Sequence, residues 1–548
     1  MDSNHRALWI RYAVRPGAAL VLLLALAVPL AAQHSIVAQF AAADLGRPGD
    51  TVPLELSVTH TAAEPLSALD LAGNQLFRYR LAVTVPPGQV RTVTFAPWYF
   101  DGSLDFPAEK LSLQPRRLAR EAALVLFDPG DLKADQLTAP MARWQQHYFA
   151  AAPGTPPRGA VWPRPAALDR LTAALVADSP AVAIAVSPDH PRRSELQRLA
   201  VAAGLDLWTV AADGSATLAD QVPTTLRRLL YGDPDIPRRP AWKRCVRPDL
   251  FDLSASASPT RIPEELFVSE TGPWSLARRL RMLLPAGLGL VLLVCLAMLG
   301  PRWPRWAQAA GVLAITGAAT IWSLAEAQAT HLVFVDAVTV SLCDVPSGRT
   351  YEQHLAAVTA AGRASPQVSF DLPGSGAPRP LVAEDVDRVV YEGVCLARDL
   401  DGRWSARDLP MQAGLLMAFA VGRWPDSGLA PNDLTMTMQS SGPEVRLNSR
   451  RILADAWVYA GGQAWPMADA GSPGVYRAAA RSVDCSQAAY VDAAPADAFR
   501  KRATRWAARY VQRTGLAVFF GWDDAPPPVS TDGKLTAHGR LVIYLLPQ

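Results

Sequence analysis

Apolar residues recur along this chain in three rhythms, and each predicts a different kind of element. The longest is continuous: Leu283 to Gly300 is one apolar run, Pro301-Arg302-Trp303-Pro304-Arg305-Trp306 interrupts it, and a second run extends from Ala307 to Ala325. A helix rises about 1.5 Å per residue and a bilayer core is roughly 30 Å thick, so runs of this length predict a transmembrane helical hairpin over 282–326. Neither run carries a charge, and Gly287, Gly289, Gly311 and Gly317 predict close approach of the two helices. Trp274, Arg278, Arg279, Arg281, Trp303 and Trp306 flank the runs and are expected at a membrane interface, with indoles in the headgroup layer and arginines on lipid phosphates. No polar residue is placed to line a path, so no pore is expected.

A shorter apolar run, Gly17 to Ala32, follows Arg6, Arg11 and Arg15. It reads either as a signal peptide cleaved after Ala32 or as a retained signal anchor over 1–33. Both place residues from about 34 to 280 outside the cytoplasm, and the hairpin returns the rest of the chain to the same side. The expected localisation is the inner (plasma) membrane, multi-pass, with both large domains exoplasmic, periplasmic in a bacterial-type envelope. Arg302 and Arg305 favour this orientation; Arg278, Arg279 and Arg281 favour its inverse.

The second rhythm has period two. Leu54, Leu56 and Val58 alternate with polar residues, Phe77, Tyr79, Leu81, Val83 and Val85 alternate with polar or small ones, and Pro86-Pro87-Gly88 turns the chain into a run containing Val93 and Phe95. This texture predicts an immunoglobulin-like β-sandwich over 34–120. Over 121–232 the strands become continuous instead, Leu124–Phe127 and Ala181–Val186, as expected where helices cover both faces of a sheet. Leu168, Leu171 and Leu175, then Leu196, Leu199 and Ala203, recur at helical spacing, and Gly204 stops the second set before the strand Leu205–Val210. The region is expected to be an α/β three-layer domain, followed by a proline-rich linker and juxtamembrane segment over 233–281.

Residues 327–548 predict a mainly-β (α+β) C-terminal domain, with strands at His331–Val335, Val389–Tyr391, Trp457–Tyr459, Leu516–Phe520 and Leu541–Leu546. One helix interrupts them, with Phe499, Trp506 and Tyr510 on an apolar stripe and basic residues around it. Arg502, Arg505, Trp506 and Arg509 form its possible docking face, toward anionic lipid or an acidic partner. The other reading is the solvated back of a packed helix.

Composition narrows the chemistry. The 53 basic residues are dispersed among 50 acidic ones and the formal charge is +3, which gives no footprint for nucleic acid. Of five cysteines, Cys343, Cys395 and Cys485 share the C-terminal region and are candidates for a disulfide, with unpaired buried thiols as the alternative. No metal site and no cofactor is expected. Glu352 and His354 would diverge on a helix and have no second histidine nearby, and Asp523, Asp524 and Asp532 lack the ladder of a calcium loop. Ser187, Asp189 and His190 stand at the carboxyl end of a strand, the edge where α/β sheets hold ligands, but the same residues suit a turn or helix cap.

The order of sandwich, α/β unit and membrane segment is faintly similar to envelope proteins bearing a degenerate amidotransferase-like domain, a likeness that names no family. Such a domain needs a nucleophilic cysteine at a strand-to-helix turn, and residues 124–230 contain none. No catalytic residue is therefore assigned. The expected role is that of a membrane-anchored accessory or scaffold protein of the cell envelope, with membrane lipids and other envelope or membrane proteins as partners. The alternatives are a membrane-tethered hydrolase of envelope polymers and a non-transporting subunit of an export complex.

Overall fold

In the computed structural model most of residues 34–226, 276–329 and 333–546 are described; 1–33, 227–275, 381–390, 485–498, 505–516 and some shorter stretches lie outside that description. The expected signal segment and proline-rich linker fall among the latter. Among the described residues the chain is mostly β, with 49% in strands and 20% helical.

Its central feature is a twelve-stranded sheet built from the C-terminal half. The strand Val333–Asp344 lies at its heart, with antiparallel Arg349–Ala360 on one side and parallel Lys534–Leu545 on the other. All twelve residues of the 333–344 strand are buried, because both faces are covered and alternate residues feed different cores. Val338, Val340 and Leu342 join Trp457, Phe499 and Trp522 on one face. On the other, Val335 and Ala337 enter one core and Cys343 enters another.

The alternating N-terminal strands form as the pattern predicts, but they find partners far along the chain. His34–Phe40, Leu54–His60 and Val90–Phe95 make a three-stranded sheet. Phe77–Val85 instead joins a six-stranded sheet by pairing in parallel with Val394–Arg398. Phe77, Tyr79 and Leu81 point inward and Arg78 and Arg80 outward, and the inward set shares one core with Val335, Val358, Phe370 and Phe419. The N-terminal and C-terminal strands thus interlock in a common body.

Residues 122–220 form a five-stranded sheet in the order 160–165, 122–127, 181–186, 206–210, 216–220, parallel except for the last strand. Helix Thr138–Phe149 supplies Trp144, Tyr148 and Phe149 to one face, and helix Arg193–Ala203 supplies Leu196, Ala200 and Ala203 to the other. Gly204 ends the second helix at φ +69°, its N–H bonded to the carbonyls of Ala200 and Val201. The helix expected through Leu168, Leu171 and Leu175 is broken: a 3₁₀ turn spans Leu168–Arg170, Leu171 is extended, and a short helix follows at Ala173–Val176. Arg349 ties this unit to the large sheet, 2.8 Å from Asp220.

The two central apolar runs do form helices, Leu276–Leu299 and Arg305–Ala329. They meet at small residues; a Cβ on Gly289 would lie 3.1 Å from that of Ala319, whereas Gly287 and Gly317 have open space around them. Among the described residues, however, no helix is long and apolar enough to cross a membrane. The second helix starts at Arg305 and carries Gln308, Thr316 and Thr320, which dilute its alanines and glycines. This overturns the expected transmembrane hairpin, and with it the reading as a multi-pass membrane protein with exoplasmic domains.

Candidate functional site

The polar side chains that the fold gathers most tightly lie on the large sheet, between two apolar cores on the same face. Along the 333–344 strand the residues on that face run Val335, Ala337, Thr339, Ser341, Cys343, apolar at both ends and polar in the middle. Thr339 stands opposite His354, and Ser341 opposite Glu352. Beyond Glu352 comes Arg423, and on the other side of Thr339 comes Arg540. A polar stripe thereby crosses four adjacent strands.

A bulge brings Arg540 to this face. The 333–344 and 534–545 strands pair odd residues with odd and even with even as far as Ala337 and Ala537, then shift so that Thr339 faces Arg540. One extra residue flips the parity of everything after it. Gly539, at φ +86°, makes the shift, and a Cβ there would sit 2.6 Å from the Asp523 carbonyl oxygen. His538, within the bulge, bonds Asp336 through Nε2 at 2.8 Å and stacks on Phe499 at 3.7 Å.

Glu352 is the hub of the stripe. Its Oε2 accepts from Arg423 Nε at 3.0 Å, and its Oε1 lies 3.3 Å from Arg540 Nη1 and 3.5 Å from Ser341 Oγ. The Glu352 carboxylate is buried, whereas the side chain of Arg423 is 40% exposed and that of Arg540 20%. His354 is 1% exposed; its Nδ1 shares a 3.0 Å hydrogen bond with Thr339 Oγ1, and its Nε2 is 3.6 Å from Glu352 Oε2 and has no hydrogen-bond partner. Burial first, then the charges of Arg423 and Arg540, depress its pKa to about 3, so the imidazole is neutral at pH 7. Arg540 Nε is a second buried donor without a partner. The arrangement offers cationic donors around a fixed carboxylate.

The edge of the parallel sheet, where Ser187 and His190 sit, is arranged differently. Ser187 donates from Oγ to Asp131 Oδ1 at 2.5 Å and from its backbone N–H to Asp131 Oδ2 at 2.6 Å. His190 Nδ1 accepts the Arg192 N–H at 3.1 Å, and its Nε2 lies 3.9 Å from Asp128. The serine proton is committed to a carboxylate, and the imidazole is turned to its own loop. This is the geometry of a braced turn.

The remaining sequence candidates are scattered. Trp303 and Trp306 are exposed at the tip of the helical hairpin; Trp274 and the side chains of Arg278, Arg279 and Arg281 lie outside the described residues. So do Arg502, Arg505, Trp506 and Arg509, although their neighbour Arg500 is not solvated as a basic face requires: it pairs with Asp524 at 2.5 Å and lies over the Trp522 ring. Cys343 and Cys395 are buried in different sheets, Cys395 as a free thiol, and Cys485 is outside the description. Burial pushes the Cys395 thiol pKa up, against the pull of nearby Arg78. Among the described residues no group of three or more His, Cys, Asp or Glu could hold a metal ion.

No protein-family profile and no curated protein matches the chain. Among solved structures it is similar to a two-domain M1 zinc metallopeptidase mutant bound to L-tryptophan, at 12% identity over 27% of this chain and 38% of that one, with a TM-score of 0.14. It is also similar to an M1 zinc metallopeptidase from Deinococcus radiodurans, at 13% identity over 27% of this chain and 38% of that one, with a TM-score of 0.13. The chain therefore spans well under half the length of these enzymes, and so slight an overlap transfers neither fold nor activity.

Proposed function

We propose that this chain is a non-catalytic accessory or scaffold protein that holds a protein partner through its helical hairpin. The observation that carries this reading is the apolar surface left open there. Leu290, Val291, Met298, Leu313 and Ile321 are each at least 60% exposed, on two adjacent helices that pack against each other through small residues. Proteins rarely leave a contiguous apolar surface uncovered unless another apolar surface meets it. The committed geometry of Ser187 and His190 weighs in the same direction, away from the hydrolase alternative.

Site-specific photo-crosslinking tests the reading. A crosslinker at Leu290 or Leu313 should form a discrete adduct with one protein partner, and a crosslinker at exposed Leu400 on the β body should not. Leu290→Asp combined with Leu313→Asp should abolish the adduct and leave the unfolding transition of the β body in place. An undiminished complex in that double variant would remove the hairpin from the role.

A further inference from the structure

The polar stripe on the large sheet has the makings of a ligand site that is independent of the hairpin. Within its cluster stand two permanent cations, Arg423 and Arg540, one shared carboxylate, Glu352, and a neutral imidazole, His354. Glu352 engages one nitrogen of each guanidinium. A guanidinium carries five N–H donors in a fixed fork, so both arginines keep further donors, and both side chains reach solvent. Beneath them, His354 Nε2 and Arg540 Nε are buried polar atoms without partners, and the imidazole is aimed into the cluster from beside Thr339. Leaving such groups unsatisfied is costly, and an incoming acceptor relieves that cost for the Arg540 Nε–H, and for His354 in the tautomer whose Nδ1 accepts the Thr339 hydroxyl proton and whose Nε2 carries the N–H.

We propose that this stripe is a receptor for a single carboxylate group, held above Thr339 by the outer nitrogens of Arg423 and Arg540 and floored by His354. Glu352 is a positioning residue here: it fixes the two forks in a common orientation, so that little side-chain entropy is lost when the ligand arrives. Two carboxylates stand at the rim, Glu352 between the arginines and Asp523 as the cross-strand neighbour of Arg540, and their repulsion weighs more heavily against a phosphate dianion than against a carboxylate monoanion. On the opposite face, Asp336 is bonded to His538 and Arg500 to Asp524, so these groups are directed away from the stripe. Two sources share this chemistry: the free C-terminus of a peptide and a small organic acid.

Calorimetric titration of the full chain at constant ionic strength, in chloride, tests the proposal with four probes: acetate, inorganic phosphate, the tripeptide Gly-Ala-Ala, and the same peptide as its C-terminal amide. Acetate or the free-acid peptide should bind saturably and the amide should not. Tighter binding of the peptide points to a chain terminus and equal binding to small acids; either order upholds the receptor. Arg540→Gln and Arg423→Gln should each weaken binding at least about tenfold, the loss expected for one charge-assisted hydrogen bond. Arg403→Gln, at an exposed pair with Asp371 elsewhere on the surface, should leave binding unchanged. Should the stripe variants fail to fold, the wild-type chain still decides: with its eight histidines isotope-labelled, one imidazole resonance should shift with the calorimetric midpoint. No saturable heat from either carboxylate, equal binding of the amide, equal binding of inorganic phosphate, or full binding by folded Arg540→Gln would each overturn it.

Discussion

Arg540 reaches Glu352 across an entire intervening strand, its Nη1 3.3 Å from Oε1, passing over the short side chains of Thr339 and Ser341. Larger residues at those two positions would close the path. Because Arg423 meets the same carboxylate from the other side, Glu352→Gln leaves two guanidiniums facing each other without a counter-ion. The expected cost is about 2–4 kcal/mol, toward the lower end of the range for broken buried pairs because both arginines are partly hydrated. Urea unfolding of the variant against the parent chain measures it.

His354 makes stability depend on pH in a definite direction. Unfolded, the imidazole binds a proton below about pH 6.5; folded, it does so only below about 3. Between those values the unfolded chain holds the extra proton, so stability is full above about 6.5 and declines as the pH falls toward 3. At about 1.4 kcal/mol per pKa unit the loss amounts to a few kcal/mol. His354→Gln should remove close to one proton from the slope of unfolding free energy against pH between 4 and 6.

Gly539 sets the parity of the last strand. Its φ of +86° and the 2.6 Å approach of the Asp523 carbonyl leave no room for a side chain. Gly539→Ala should cost about 1–3 kcal/mol, and it should weaken carboxylate binding along with stability because Arg540 loses its aim. Gly461→Ala is the control: φ is positive there too, at +55°, but nothing crowds the added methyl. Thermal melts of the two variants separate local crowding from the general strain of a positive φ.

Ser187→Ala should behave as the loss of a turn brace. Removing the Oγ–Asp131 hydrogen bond is expected to cost about 1–2 kcal/mol, and turnover of p-nitrophenyl acetate should stay at the background rate in both proteins. A measurable parental esterase activity that vanished in the variant would return the edge of the parallel sheet to the hydrolase reading.

Cys395 should resist alkylation in the folded protein. Burial both blocks the thiol and raises its pKa, so the reactive thiolate is scarce at pH 8. Modification mapped by peptide mass spectrometry should be slow natively and rapid in urea. Fast native labelling would place the thiol at the surface.

The legibility of the fold follows from how far each signal reaches. Alternation from Phe77 to Val85 shows a strand with one wetted face, and the structure keeps that pattern. Nothing local records that its neighbour is Val394–Arg398. Glu352 and His354 diverge at helical spacing; on a strand, residues two apart share a face, and Arg349–Ala360 shows no clean alternation because it is buried on both sides. Register hid the site further, since Arg423 and Arg540 enter only through pairing and through a bulge at Gly539. The central apolar runs were legible as helices, but apolarity alone overstated them as membrane spans. At the carboxyl edge of the parallel sheet, the bonds of Ser187 to Asp131 favour the turn reading of that residue.

The parallel pairing of Phe77–Val85 with Val394–Arg398 imposes a waiting time on biosynthesis. A ribosome adding about 5–20 residues per second needs roughly 15–60 s to travel from one strand to the other, and throughout that interval the earlier strand has an open hydrogen-bonding edge. Nascent chains halted before residue 394 should therefore be prone to aggregate, and a trigger-factor-like or Hsp70-like holdase should raise the yield of the native protein more than any late-acting folding factor.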